Sequence, residues 1–118
     1  MKITENFDSD EFKCKCGKCN LEIDKLFVTK LQSARDIAKI PFTILSGCRC
    51  PERNKLVGGK ANSSHLRCLA ADIEVNSRTK YIILDALKKV GFIRVAAGDG
   101  FIHCDIDKSL PQVGGWKY

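Results

Sequence analysis

Apolar side chains recur at spacings of three and four across residues 24–39. Phe27, Leu31, Ala34 and Ala38 share one face, Asp24 is placed to cap the start, and Pro41 ends the run. That pattern predicts an amphipathic helix. Phe42-Thr-Ile-Leu-Ser46 then reads as a short buried strand. Gly47 to Ser64 is rich in Gly, Pro, Asn, Arg and Ser and reads as a long loop, with one helical turn at 51–57. Leu69–Val75 reads as a second strand. Ser77 is placed to cap a helix over 78–90, closed by Gly91. Phe92–Ala96 and Phe101–Ile106 read as two strands joined by the tight turn Gly98-Asp99-Gly100. Residues 1–23 show no periodicity and carry the cluster Cys14-Lys-Cys16-Gly-Lys-Cys19. Mixed helices and strands ending in a hairpin predict an α+β fold, with a small, largely antiparallel sheet and flanking helices, in one domain over 1–118.

Composition narrows the class. The chain has 118 residues, 44% hydrophobic and 29% charged, which fits a globular protein and excludes a disordered one. No apolar run approaches the roughly 20 residues of a membrane span, so no membrane insertion is expected. The N-terminus lacks an apolar signal core, which predicts cytoplasmic synthesis with reduced thiols. Seven cysteines also leave at least one unpaired in any intramolecular scheme. With 20 Lys and Arg against 14 Asp and Glu, the net charge is +6. The basic residues are spread along the chain, and Lys88-Lys89 is their only adjacent pair. That distribution suits a basic surface rather than a nucleic-acid stripe, and no nucleic-acid partner is expected. The chain is expected to be a monomer.

The scarce residues are the histidines, His65 and His103. His65 ends the long loop, and Asp72 lies seven residues on, inside the second strand, beyond the small residues Ala70 and Ala71. His103 and Asp105 stand two apart on the hairpin strand and so share one face. Two histidines and a carboxylate are the His₂-carboxylate set of a catalytic zinc site with a position left for water. The same spacing also fits a buried histidine hydrogen-bonded to a carboxylate with no metal.

Three ordered motifs carry a family resemblance. Ser63-x-His65-x-x-Cys68-x-Ala70-x-Asp72 resembles the Ser-x-His-x-x-Gly-x-Ala-x-Asp signature of the zinc D-alanyl-D-alanine carboxypeptidases and murein peptidases, peptidase family M15. Ser46-Gly-Cys-Arg-Cys-Pro-Glu-Arg-Asn-Lys-Leu-Val-Gly-Gly59 is similar to that family's Ser-Gly-Tyr-Arg-Cys-Pro-Glu-His-Asn-Lys-x-Val-Gly-Gly segment. Phe101-Ile-His-Cys-Asp-Ile106 resembles its Phe-Val-His-Val-Asp-Val strand. The resemblance covers about residues 8–118 and is nearest to the short phage and prophage forms. It implies that His65, Asp72 and His103 bind one catalytic zinc ion, that Arg49 grips a substrate carboxylate, and that Ser63 helps to position it. It further implies hydrolysis of peptidoglycan stem peptides, either as a D-Ala–D-Ala carboxypeptidase or as an L-Ala–D-Glu endopeptidase acting on the cell wall, as a phage lysin does after release. A carboxylate must take the proton from water. Asp99, four residues before His103, is the expected base, and Asp105 the expected orienting group, with the reverse assignment left open. Cys68 stands where the family has glycine, so a left-handed backbone there would strain it.

Two other readings come from other classes. The animal hedgehog signalling domain is similar in fold and carries a His-Ile-His-Cys-Ser-Val strand, so a zinc-containing binding module without catalysis is one of them. A nucleic-acid-binding protein built on the cysteine cluster is the other. For the cysteines themselves, free and partly buried thiols are expected. A structural ion on Cys14, Cys16, Cys19 and either Cys48 or Cys50, or a disulfide formed after release, are the alternatives. Cys104 is expected in the core, and Cys68 is the thiol nearest the proposed zinc site.

Overall fold

The computed structural model describes residues 1–116. The elements in chain order are α1 (Lys25–Ala38), β1 (Ile44–Ser46), α2 (Pro51–Leu56), β2 (Ala70–Glu74), α3 (Lys80–Lys89), β3 (Arg94–Ala97) and β4 (Phe101–Asp105). Short 3-10 turns at Ser9–Phe12 and Ser64–Arg67 complete the set. The four strands form one antiparallel sheet in the order β1-β2-β4-β3. The expected α+β architecture with a small antiparallel sheet is the observed one.

Strand periodicity divides the sheet into two chemically different faces. Ala71 and Ile73 of β2, Val95 of β3, and Ile102 and Cys104 of β4 belong to the hydrophobic core. Phe27, Val28, Leu31 and Ala34 of α1, with Ile83, Ala86 and Leu87 of α3, complete that core. The alternate residues carry the polar chemistry: Asp72 pairs across from His103, Ala70 from Asp105, and Arg94 from Asp105 on the other side. The core therefore holds rigid the strands whose opposite face holds the charged groups.

Local signals explain most element ends. Asp24 Oδ1 accepts from the Phe27 amide at 2.8 Å and caps α1, and Lys39 in the left-handed region ends it. The expected Ser77 cap of α3 is replaced by Asn76, whose Oδ1 accepts from the Arg78 and Thr79 amides at 2.9 and 3.0 Å. An Asn side chain closes such a turn more readily than a serine hydroxyl. Of the expected 42–46 strand, β1 takes Ile44–Ser46, with a register shift against β2 between Ile44 and Ser46, and the Thr43 carbonyl accepts from the Glu74 amide at 2.9 Å.

Residues 1–23, which carry no periodicity, are nevertheless anchored. Asp8 and Glu11 form a reciprocal capping box, and Phe7 and Phe12 are buried on either side of it, with Phe7 also against Phe42. The expectation of reduced thiols throughout is corrected at one pair: Cys48 and Cys68 form a disulfide. These residues lie on two loop segments already held together by the Arg49 amide and the His65 carbonyl, 3.0 Å apart. Cys68 is therefore not available as a competing zinc ligand. It adopts φ +57°, the left-handed conformation in which a non-glycine residue costs roughly 1–2 kcal/mol.

Candidate metal centre and substrate cleft

His65, Asp72 and His103 come together from a loop turn and two adjacent strands, with their ligand atoms within 4.8 Å of one another. Ser63 starts the turn that carries His65, and its Oγ accepts from the His65 amide at 3.2 Å. The register of β2 against β4 sets Asp72 directly beside His103. All three residues are buried.

The second nitrogen of each imidazole decides what the first can do. His65 Nδ1 lies 2.6 Å from the Gly47 carbonyl, an acceptor only, so Nδ1 carries the proton and donates it. His103 Nε2 lies 2.7 Å from Asp105 Oδ2 and donates to it. The lone pairs of His65 Nε2 and His103 Nδ1 are thereby turned toward one oxygen, Asp72 Oδ1, at 3.2 and 3.0 Å. Three electron-rich atoms facing one another in a buried space repel unless a cation lies among them, and the donor set of two imidazoles and a carboxylate suits zinc. Without a metal a proton fills that role. Burial opposes a charge on His103, but hydrogen bonds to Asp105 and Asp72 outweigh it and raise its pKa. Burial likewise works against the Asp72 carboxylate, yet His103 and His65 hold its pKa well below the ordinary range.

Asp105 accepts from His103 and from three other donors. Its Oδ2 accepts from His103 and, at 3.1 Å, from Ser64 Oγ. Its Oδ1 accepts from Arg94 Nε at 2.8 Å and the Asp107 amide at 3.0 Å. Two oxygens offer about four lone-pair sites, so the carboxylate is saturated. Ser64 and Arg94 escaped the sequence reading. A charged residue in the apolar run Phe92-Ile-Arg-Val-Ala96 was the available signal for Arg94, since a buried arginine needs a carboxylate.

A cleft of about 530 Å³ opens over this centre, and its walls include Arg49, Gly59, Lys60, Ser63, His103 and Trp116. Of the three residues of the candidate centre, His103 lines it. Arg49 is fixed by Ser46 Oγ, Asn54 Oδ1 and Asp72 Oδ2 at 3.1, 3.1 and 3.3 Å, which leaves one N–H on each terminal nitrogen for a ligand. Glycine is required at 59, where a Cβ would lie 2.0 Å from Asn54 Oδ1 and 3.0 Å from the Arg49 guanidinium. The opposite wall is tied down through Arg94, which donates to the Pro111 carbonyl at 2.6 Å and stacks 4.5 Å from the Trp116 ring. Asp99 is placed elsewhere, exposed on the turn between β3 and β4 and outside the cleft lining.

A buried His₂-carboxylate set beneath a cleft walled by Arg49 and Lys60 is one that could hold a single metal ion. A sequence model of the family Peptidase M15 matches residues 5–105, and the chain belongs to that family of zinc peptidases. No curated protein matches the sequence significantly.

Proposed function

We propose that the protein hydrolyses peptide bonds in peptidoglycan stem peptides, with zinc held by His65, Asp72 and His103. The convergence of these three ligand atoms beneath a cleft walled by Arg49 carries the reading. A zinc ion there would bring the pKa of a bound water toward ~7 and polarise the scissile carbonyl. Arg49 offers two free N–H groups to a substrate carboxylate, and Lys60 adds positive charge, so a peptide ending in a carboxylate suits the cleft. Ser63 accepts from the His65 amide, and its own O–H is left to donate to the bound peptide. Asp105 keeps the His103 ring in the tautomer that turns Nδ1 toward the metal position. These features favour D-Ala–D-Ala carboxypeptidase action, and L-Ala–D-Glu endopeptidase action on the cell wall is the neighbouring alternative.

Digestion of stem peptides, with products identified by mass spectrometry, tests the proposal. Chelator-sensitive release of D-Ala is the expected outcome, and new L-Ala carboxyl termini would instead identify the endopeptidase. One observation favours a second reading, a zinc-containing binding module: none of the cleft-lining residues described carries a carboxylate. Stem peptide that binds with zinc present and is never cut would establish that reading.

Asp99 has its own test. Its exposed position predicts that Asp99→Asn changes kcat by less than about threefold. A general base is worth about 10²–10⁴ in rate, so a loss of that size would return Asp99 to the catalytic role its sequence position suggests.

A further inference from the structure

Outside the histidine centre, Cys14, Cys16, Cys19 and Cys50 gather with their sulfurs within 4.8 Å of one another, and no disulfide joins any of them. Three come from the loop after the Ser9–Phe12 turn, and the fourth is the N-cap of α2. A zinc ion with four thiolate ligands at about 2.3 Å sets its sulfurs about 3.8 Å apart. The cluster therefore needs only a small contraction to form a coordination tetrahedron. Cys48, the other candidate for fourth ligand, is taken by its disulfide to Cys68. Cys104 is buried in the core.

The surrounding backbone already treats these sulfurs as electron-rich. Cys16 Sγ accepts from the amides of Lys18 and Cys19 at 3.3 and 3.4 Å. Cys14 Sγ accepts from the Cys50 amide at 3.3 Å, and Cys50 Sγ from the Arg53 amide at 3.4 Å. Gly17, at φ +72°, makes the reversal that returns Cys19 toward Cys16. Four thiolates around a divalent ion leave a net charge of −2, and amide dipoles aimed at sulfur offset it, as do the nearby cations Lys15, Lys18 and Arg53.

We infer that Cys14, Cys16, Cys19 and Cys50 bind a structural tetrathiolate zinc ion, separate from the histidine centre, which clamps the N-terminal segment to α2. Its consequence for the cleft runs through two neighbours. Cys50 adjoins Arg49, and α2 carries Asn54, whose Oδ1 holds the Arg49 guanidinium. The ion thus fixes the side of the cleft that presents the arginine.

Metal analysis of protein purified under reducing conditions tests this, with zinc as the probe. The wild type is expected to hold two zinc ions per chain. His65→Ala leaves all four thiols intact and should hold one, whose X-ray absorption spectrum shows four sulfur neighbours at about 2.3 Å. Cys19→Ser and Cys50→Ser should each lose one ion. Cobalt(II) loaded into His65→Ala should give the near-ultraviolet thiolate charge-transfer band, and Cys19→Ser should lack it. Zinc-free His65→Ala would overturn the inference, as would two disulfides among these cysteines in wild type isolated separately without reductant. If the cysteine variants fail to fold, wild-type stoichiometry and the His65→Ala spectrum still decide it.

Discussion

Replacing His65 by alanine is expected to remove the histidine-centre metal and, with it, hydrolysis to below detection. In the proposed centre His65 supplies one of three ligand atoms, and its ring is held by the Gly47 carbonyl at 2.6 Å. Asp72 and His103 alone would leave a two-ligand site, too few to retain zinc against chelation. Loss of activity by itself would not separate a metal role from misfolding, so thermal stability provides the second readout. Zinc at a thousandfold excess over its dissociation constant stabilises the native state by about 4 kcal/mol. For a domain of this size that raises the melting temperature by roughly 10–20 °C. The wild type should show an increment of that order from the histidine centre, and His65→Ala should lack it while keeping whatever the cysteine cluster contributes. A variant that still turned over stem peptide with its zinc content unchanged would place the catalytic metal elsewhere.

The gathering of His65, Asp72 and His103 was legible because each sits in a strongly patterned place: His65 where the loop closes, Asp72 within a strand, and His103 two residues before Asp105. Helix α1 was legible for the same reason, since its apolar face, its Asp24 cap and Pro41 all agree. What stayed hidden depended on register. Arg94 and Asp105 lie eleven residues apart, and only the pairing of β3 with β4 makes them neighbours. The Cys48–Cys68 link closes a separation of twenty residues that holds only α2 and one 3-10 turn, so no long periodic pattern constrains the path. The choice of Cys50 over Cys48 beside the N-terminal cysteines required the same loop geometry. Asp99, four residues before His103, lies exposed on the hairpin turn, and spacing along the chain alone did not fix that placement.

Asp105→Asn should be the most damaging substitution at a residue that is not itself a metal ligand. The side chain is fully buried and each oxygen accepts two hydrogen bonds, so an amide in its place turns an N–H toward donors on one side. Arg94, itself buried, loses its carboxylate partner. Breaking a buried ion pair by removing one member costs about 3–5 kcal/mol, roughly 10–20 °C in melting temperature for a domain of this size. The effect on the metal centre is separable. Asp105 holds the proton on His103 Nε2, and loss of such a partner typically weakens metal binding 10–100-fold. A role confined to packing would lower the melting temperature and leave the zinc affinity of the folded protein unchanged, an outcome that would strip Asp105 of its positioning role. Arg94→Met distinguishes the two contributions further. It removes the ion pair while leaving His103, Ser64 and the Asp107 amide on the carboxylate, so it should destabilise the fold yet keep zinc affinity within a few-fold of wild type. In the double variant the two stability losses should sum to less than their total, because Arg94 and Asp105 share one interaction. The affinity loss should follow Asp105→Asn alone, since the His103 tautomer depends on the carboxylate and not on the arginine behind it.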